Sequence, residues 1–201
     1  MSGRTLAGGN GFALVLPSSV HLPGYADALR RGWSANTVID TSAQELAQIE
    51  ADPAAFLAGK VDREASGPPV ELPDGSRVAR LPGVIHWIWN MQDDCFAGSI
   101  GFRWQRGSSA LPPHVLGHIG YAVLPWQCGR GAATRALALL LAKLPAEDAA
   151  LDSVTITTDP DNIASQRVIV ANGGVLVERF TLPAAFGGGE GLRFRIALSA
   201  N

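Results

Sequence analysis

The stretch that most constrains this 201-residue chain surrounds Gly129, Arg130 and Gly131. Before it stands His118 to Leu124, an aromatic and β-branched run that reads as a strand and that Pro125 ends, since proline has no N–H for a ladder. After it, Ala133, Leu137, Leu140, Leu141 and Leu144 recur at steps of 4, 3, 1 and 3, one apolar stripe at helical period stopped by Pro145. Glycines at such a strand-to-helix bend let the backbone turn tightly and approach a ligand with no Cβ between. The helix's first turn then offers unpaired N–H groups, and its dipole adds positive charge. Such a bend suits a phosphate or pyrophosphate, with the Arg130 guanidinium at hand for a charge-assisted contact. Taken alone, the glycines suit a ligand-free connection equally well. The turn lacks the Lys-Ser/Thr ending of a P-loop. It also carries Thr134 where a dinucleotide-binding turn has its third glycine.

The flanking sequence supplies the other elements. Phe12 to Leu16 reads as a first strand, and Tyr25 to Arg31 and Ala43 to Ile49 as helices, the second capped by Thr41 or Ser42; Asp52 and Pro53 begin a short helical piece. Ala65 to Pro69 and Pro73 to Gly75 mark turns in an insertion. Strands follow over Val84 to Trp89 and Phe96 to Trp104, the latter interrupted by Gly98 and Gly101. Ser153 to Thr157 is a β-branched strand, and Asp161 or Asn162 caps a helix through Val170 that Asn172, Gly173 and Gly174 end. Val175 to Leu182 and Leu192 to Leu198 pair around a glycine loop from Gly187 to Gly191. This order gives one α/β domain over residues 1–201 with a mixed sheet. Residues 10–62 form its N-terminal strand and helices, and residues 77–201 its sheet and ligand-binding core.

The run Gly117 to Thr134 resembles the signature of the GNAT superfamily of N-acetyltransferases, in which Arg or Gln, two residues, Gly, one residue, and Gly or Ala follow one another. The pattern falls on Cys128 to Ala133, with Cys128 in place of the first residue and Gln127 before it. A second stretch, Asp159 to Gly174, resembles the family's helix whose starting Asn and a small or hydroxyl residue three later face the pantetheine arm. Asn162 and Ser165 match those positions. The resemblance implies an α+β fold with a mixed, mostly antiparallel sheet of about six to seven strands flanked by helices. It implies acetyl-CoA as cosubstrate, held by Ala122, Val123 and Leu124 through their backbone, by Cys128, Gly129, Arg130, Gly131, Ala132 and Ala133 at the pyrophosphate, and by Asn162 and Ser165 at the pantetheine.

The reaction so implied moves an acetyl group directly to a primary amine, driven mainly by positioning. An N–H near Val123 is the expected oxyanion donor. His118 stands about where many family members place a Glu, and an imidazole suits an ammonium proton near neutrality. It is the expected base, with a structural histidine as the alternative; His86, Asp94 and Glu178 are in reserve. The family's acidic Tyr, seven residues after the Asn, is Ile169 here, which leaves Ser165 to protonate the thiolate or merely to pack. Tyr121, the other nearby hydroxyl, reads as a core aromatic. Trp87, Trp89 and Trp104 read as sheet packing before acceptor wall. Of the acids on the N-terminal helices, Asp27, Asp40, Glu45, Glu50 and Asp52, most read as surface.

Composition bounds the alternatives. A net charge of −2 with scattered arginines argues against nucleic-acid binding. No run is apolar over the roughly 18 residues that a membrane span needs. Cys95 and Cys128, with four separate histidines, give no metal or disulfide pattern. A cytoplasmic enzyme for a small-molecule or peptide amine follows, with no metal and with a sheet-edge homodimer open. Two other readings stand beside it: a non-catalytic acyl-CoA-binding or sensing domain, and an acyltransferase for longer acyl groups.

Overall fold

The computed structural model describes residues 6–7, 11–37, 39–72, 75–148, 150–184 and 188–198. Pro73 and Asp74 of the expected turn, and Gly187 of the glycine loop, lie outside them.

Alternation along the strands builds the centre. β1 (Leu6–Ala7), β2 (Phe12–Val15), β6 (Gly83–Asn90), β7 (Cys95–Arg103) and β8 (Ile119–Val123) form one antiparallel sheet in that order, and β3 (Val61–Asp62) also pairs with β6. Side chains alternate between its faces, as the pleat requires. Leu14, Ile88 and Ile100 join one core with α4 (Ala132–Leu141), while Val15, Trp87 and Trp89 join another with α1 (Leu22–Arg30). The second core is aromatic: Tyr25 stacks on Trp87 at 4.7 Å and meets Phe96 and Trp33 edge-on. Trp104 stacks on Phe102 at 4.9 Å in the first core. The three strand tryptophans are therefore packing residues.

A second sheet runs β10 (Val175–Thr181), β11 (Glu190–Ala197), β9 (Ser153–Thr158), antiparallel throughout. α6 (Ile163–Ala171) packs against β9 and α4. β4 (Val70–Glu71) and β5 (Arg77–Val78) form a small hairpin in the insertion, and α2 (Ser42–Ala51) and α3 (Pro53–Ala58) lie beside α1. Among the described residues seven strands have four residues or more: β2 and β6 to β11. The count fits the expected six to seven strands, here divided between two sheets with antiparallel pairing in each.

One boundary departs from the sequence reading. The helix after the glycine turn ends at Leu141, and Pro145 does not stop it. Pro145 sits instead in the first turn of α5 (Leu144–Glu147), where its missing N–H removes nothing. As expected, Gly98 interrupts β7: it adjoins a bulge in the pairing with β6, and on the β8 side a Cβ there would lie 2.4 Å from the Ala122 carbonyl oxygen. That close approach presses β8 onto β7 and sets the line of its free edge.

Four of the five acids named on the N-terminal segment serve the fold. Glu45 accepts from the Tyr25 hydroxyl at 2.5 Å and from Lys60 at 3.0 Å. Asp52 caps α3 through the Ala55 N–H, Asp40 accepts from the Ser42 N–H, and Asp27 pairs with Arg31. Three of these are local caps and pairs of modest worth, and the Glu45 group ties α1 to α2.

Candidate active site at the divergence of two strands

β8 and β9 are joined by a helical crossover, the connection that parallel neighbours need. They are held together just before β8 begins. The His118 N–H donates to the Thr155 carbonyl at 2.8 Å, and the Thr155 N–H donates to His118 Nδ1 at 2.9 Å. An imidazole nitrogen here does the work of a backbone carbonyl. Beyond this point the strands part, and a cavity of about 800 Å³ opens between Ile119 to Val123 on one side and Ile156 to Asp159 on the other. Gly117 belongs to the junction: a Cβ would lie 3.1 Å from the Thr155 carbonyl oxygen.

This geometry favours the structural reading of His118 over that of a base. The side chain is fully buried and forms no part of the cavity wall. Nδ1 is occupied as acceptor, so Nε2 carries the proton, and it too is buried. Burial, with Arg103 adding to it, pushes the pKa down to about 4. Neither nitrogen lies on the cavity wall, and His118 joins the two sheets at their junction. The reserve bases are also engaged. His86 is buried beside Lys143, Asp94 accepts from Trp89 Nε1 at 2.8 Å, and Glu178 pairs with Arg193.

The cofactor turn forms the cavity's outer end. Pro125–Gln127 makes a short 3-10 turn, and Gly129 and Gly131 take the left-handed conformation at φ +75° and +81°. Gly131 precedes α4 with no side chain capping the helix, so the first-turn N–H groups near Ala132 and Ala133 face the cavity they line. Cys128, Gly129 and Gly131 line it as well, and Cys128 donates its thiol to the Leu124 carbonyl. Val123 lines the cavity, whereas the side chains of Ala122 and Leu124 are packed into the α1-side core, leaving them only backbone to offer.

Arg130 departs from expectation. Its guanidinium turns away, onto Asp93 at 2.8 Å and the Gln127 side-chain oxygen Oε1 at 2.9 Å. Buried Gln127 also accepts from Asn90 and donates to Cys95 Sγ, which clamps the turn to the β6–β7 connection. Composition and spacing carried no sign of this clamp. The cavity's cation is Arg167, one helical turn along α6, and among the described residues it is the one cationic side chain on the wall. Asp159 is the one carboxylate there. Sequence reasoning passed over both, since neither belongs to a motif position.

On the opposite wall Asn162 caps α6, its side-chain oxygen accepting from the Ser165 N–H at 3.0 Å. Ser165 Oγ lies 2.8 Å from the Tyr121 hydroxyl. Both line the cavity, so the structure brings Tyr121, read as a core aromatic, into the site. Burial raises its pKa, partly offset by the Ser165 hydrogen bond. Ile169 is fully buried in the core. Among the described residues no His, Cys, Asp and Glu group has the arrangement of a metal site. No helix of the described residues is long and apolar enough to cross a membrane.

The family profile of the acetyltransferase (GNAT) domain matches residues 41–175, well over half of the chain. The chain belongs to the GNAT acetyltransferases. Solved structures agree with this GNAT fold. RimL, a ribosomal-protein alpha-N-acetyltransferase solved with coenzyme A, is 13% identical, with a TM-score of 0.61 over 98% of this chain and 100% of its own. RimJ of Mycobacterium smegmatis, solved with CoA-disulfide, is 17% identical, with a TM-score of 0.60 over 92% and 81%. The microcin self-immunity acetyltransferase MccE, solved with acetyl-CoA and AMP, is 12% identical, with a TM-score of 0.59 over 94% and 93%. A search of the curated proteins finds no match to this GNAT sequence.

Proposed function

We propose that this GNAT domain transfers the acetyl group of acetyl-CoA directly to a primary amine of a peptide or small molecule, as a cytoplasmic enzyme. The observation that carries the reading is a single cavity in which the uncapped start of α4, the free edge of β8 and the Asn162–Ser165 turn of α6 meet. A pyrophosphate fits the unpaired N–H groups of α4, and the extended pantetheine fits the gap that β9 leaves along β8. Structural neighbours that are acetyltransferases hold CoA or acetyl-CoA. The N–H groups of β8 near Val123 are suited to stabilise the oxyanion, and the thioester is presented by position rather than by covalent catalysis. Asp159 is available on the wall to receive a proton from the incoming ammonium.

Incubating the protein with acetyl-CoA and a panel of peptide N-termini, lysine side chains and polyamines, with free thiol as the readout, tests the reaction. Amine-dependent thiol release at least about tenfold above hydrolysis is expected, a margin of roughly 1.4 kcal/mol in barrier. Binding of acetyl-CoA without release for any amine would instead fit a sensing domain.

The two arginines give a second test. Arg130 is held by Asp93 and Gln127, so Arg130→Ala is expected to change acetyl-CoA affinity by less than about threefold. Arg167, free to meet a phosphate, is expected to cost about tenfold as Arg167→Ala. Calorimetric titration reads both, and the reverse ranking would assign the phosphate contact to Arg130.

A further inference from the structure

Two hydroxyls meet across the cavity from different elements. Tyr121 comes from β8 and Ser165 from the first turn of α6, and their oxygens lie 2.8 Å apart. Both are cavity-lining, whereas the position on α6 where the family resemblance would seek an acidic Tyr is Ile169, fully buried. The Ser165 N–H is fixed by the Asn162 cap, so the serine is held in place at the helix start. When Ser165 Oγ–H donates to the phenol oxygen, the phenol's own proton is left with only the long contact to the Ser165 carbonyl at 3.3 Å, which a thiolate in the cavity can replace. Ile119 and Ile156 line the same cavity, and this apolar wall favours proton transfer over leaving a bare thiolate.

We propose that Tyr121 is the group that protonates the departing thiolate of CoA, with Ser165 as the residue that positions and re-protonates it. The assignment rests on the acetyl-CoA reading of the cavity. As the C–S bond breaks, its electron pair leaves with sulfur, the phenol O–H bond breaks and an S–H bond forms. In one concerted relay the phenolate takes the Ser165 hydroxyl proton as Ser165 takes the proton given up by the nitrogen that has become an amide, so no free alkoxide forms. One proton passes from nitrogen to sulfur, and no further reactant is needed. Burial keeps the phenol protonated above its ordinary range, so the donor is present wherever the thiol titrates.

Binding of CoA and of desulfo-CoA, which lacks the sulfur, to wild type and to Tyr121→Phe at about pH 7 and about pH 9.5 tests the assignment without an acceptor amine. In wild type the preference for CoA over desulfo-CoA is expected to grow roughly tenfold at the higher pH, because the thiolate accepts the phenol's hydrogen bond. In Tyr121→Phe that gain is lost, while desulfo-CoA affinity stays within about twofold, which shows an intact cavity. Ser165→Ala is expected to keep part of the gain. A gain that survives in Tyr121→Phe, or that is absent from wild type, overturns the assignment alone. Failure of wild type to bind either ligand overturns the acetyl-CoA reading and the assignment with it.

Discussion

Acidification from about pH 7 to about pH 4 is expected to remove several kcal/mol of folding stability, through two buried histidines. His118 and His86 both have pKa values pushed down to about 4, His118 by burial with Arg103 nearby, and His86 by burial with Lys143 and Arg63 opposing a charge. Both are depressed below the ordinary value of 6.5, so the unfolded chain binds protons that the folded chain refuses. Their stabilising effect is complete above pH 6.5 and is lost progressively as pH falls toward 4. Each histidine contributes up to roughly 3 kcal/mol across that window. The loss at His118 is also geometric. Protonating Nδ1 removes the acceptor of the Thr155 N–H and leaves that donor facing another in the junction of the two sheets. Urea unfolding followed by tryptophan fluorescence at stepped pH should show the midpoint falling steeply below pH 6.5. His118→Asn, whose carbonyl oxygen can stand in for Nδ1, should begin less stable and show a shallower slope. A flat profile for wild type would mean that these histidines titrate freely.

The second large effect concerns the cofactor turn. Ala133 is half-buried at the start of α4 and lines the cavity beside Gly131. Tryptophan there keeps the helix but fills the space where the uncapped N–H groups face outward. Ala133→Trp is expected to weaken acetyl-CoA binding by at least about a hundredfold, near 3 kcal/mol. Its melting temperature should stay within a few degrees of wild type, since the added ring enters open volume rather than packed core. Retained binding would place the cofactor elsewhere.

Much of this architecture was legible before the structure. Strand periodicity placed Phe12 to Leu16, Val84 to Trp89 and Ser153 to Thr157 to within a residue or two, because each alternates or runs β-branched between clear breakers. The glycine turn and a helix cap at Asp161 or Asn162 were legible because their backbone needs are local, and the structure selects Asn162. What failed to show was non-local. His118 sits at a motif-like position, and only its contact with Thr155, 37 residues away, favours a junction residue over a base. Arg130 looked like a phosphate ligand until Asp93, from another turn of the sheet, claimed it. Tyr121 looked like core until Ser165, 44 residues on, met its hydroxyl. Side-chain orientation follows from how strands pack, and no spacing rule along the chain carries that information.

The central claim is that the space where β8 and β9 part is an acetyl-CoA site. Calorimetric titration of acetyl-CoA into wild type and Ala133→Trp tests it most directly. Saturable binding of one acetyl-CoA per chain, with a Kd of roughly micromolar order and lost in the variant, is the result predicted here. No heat of binding in wild type, or equal binding in both proteins, would contradict it.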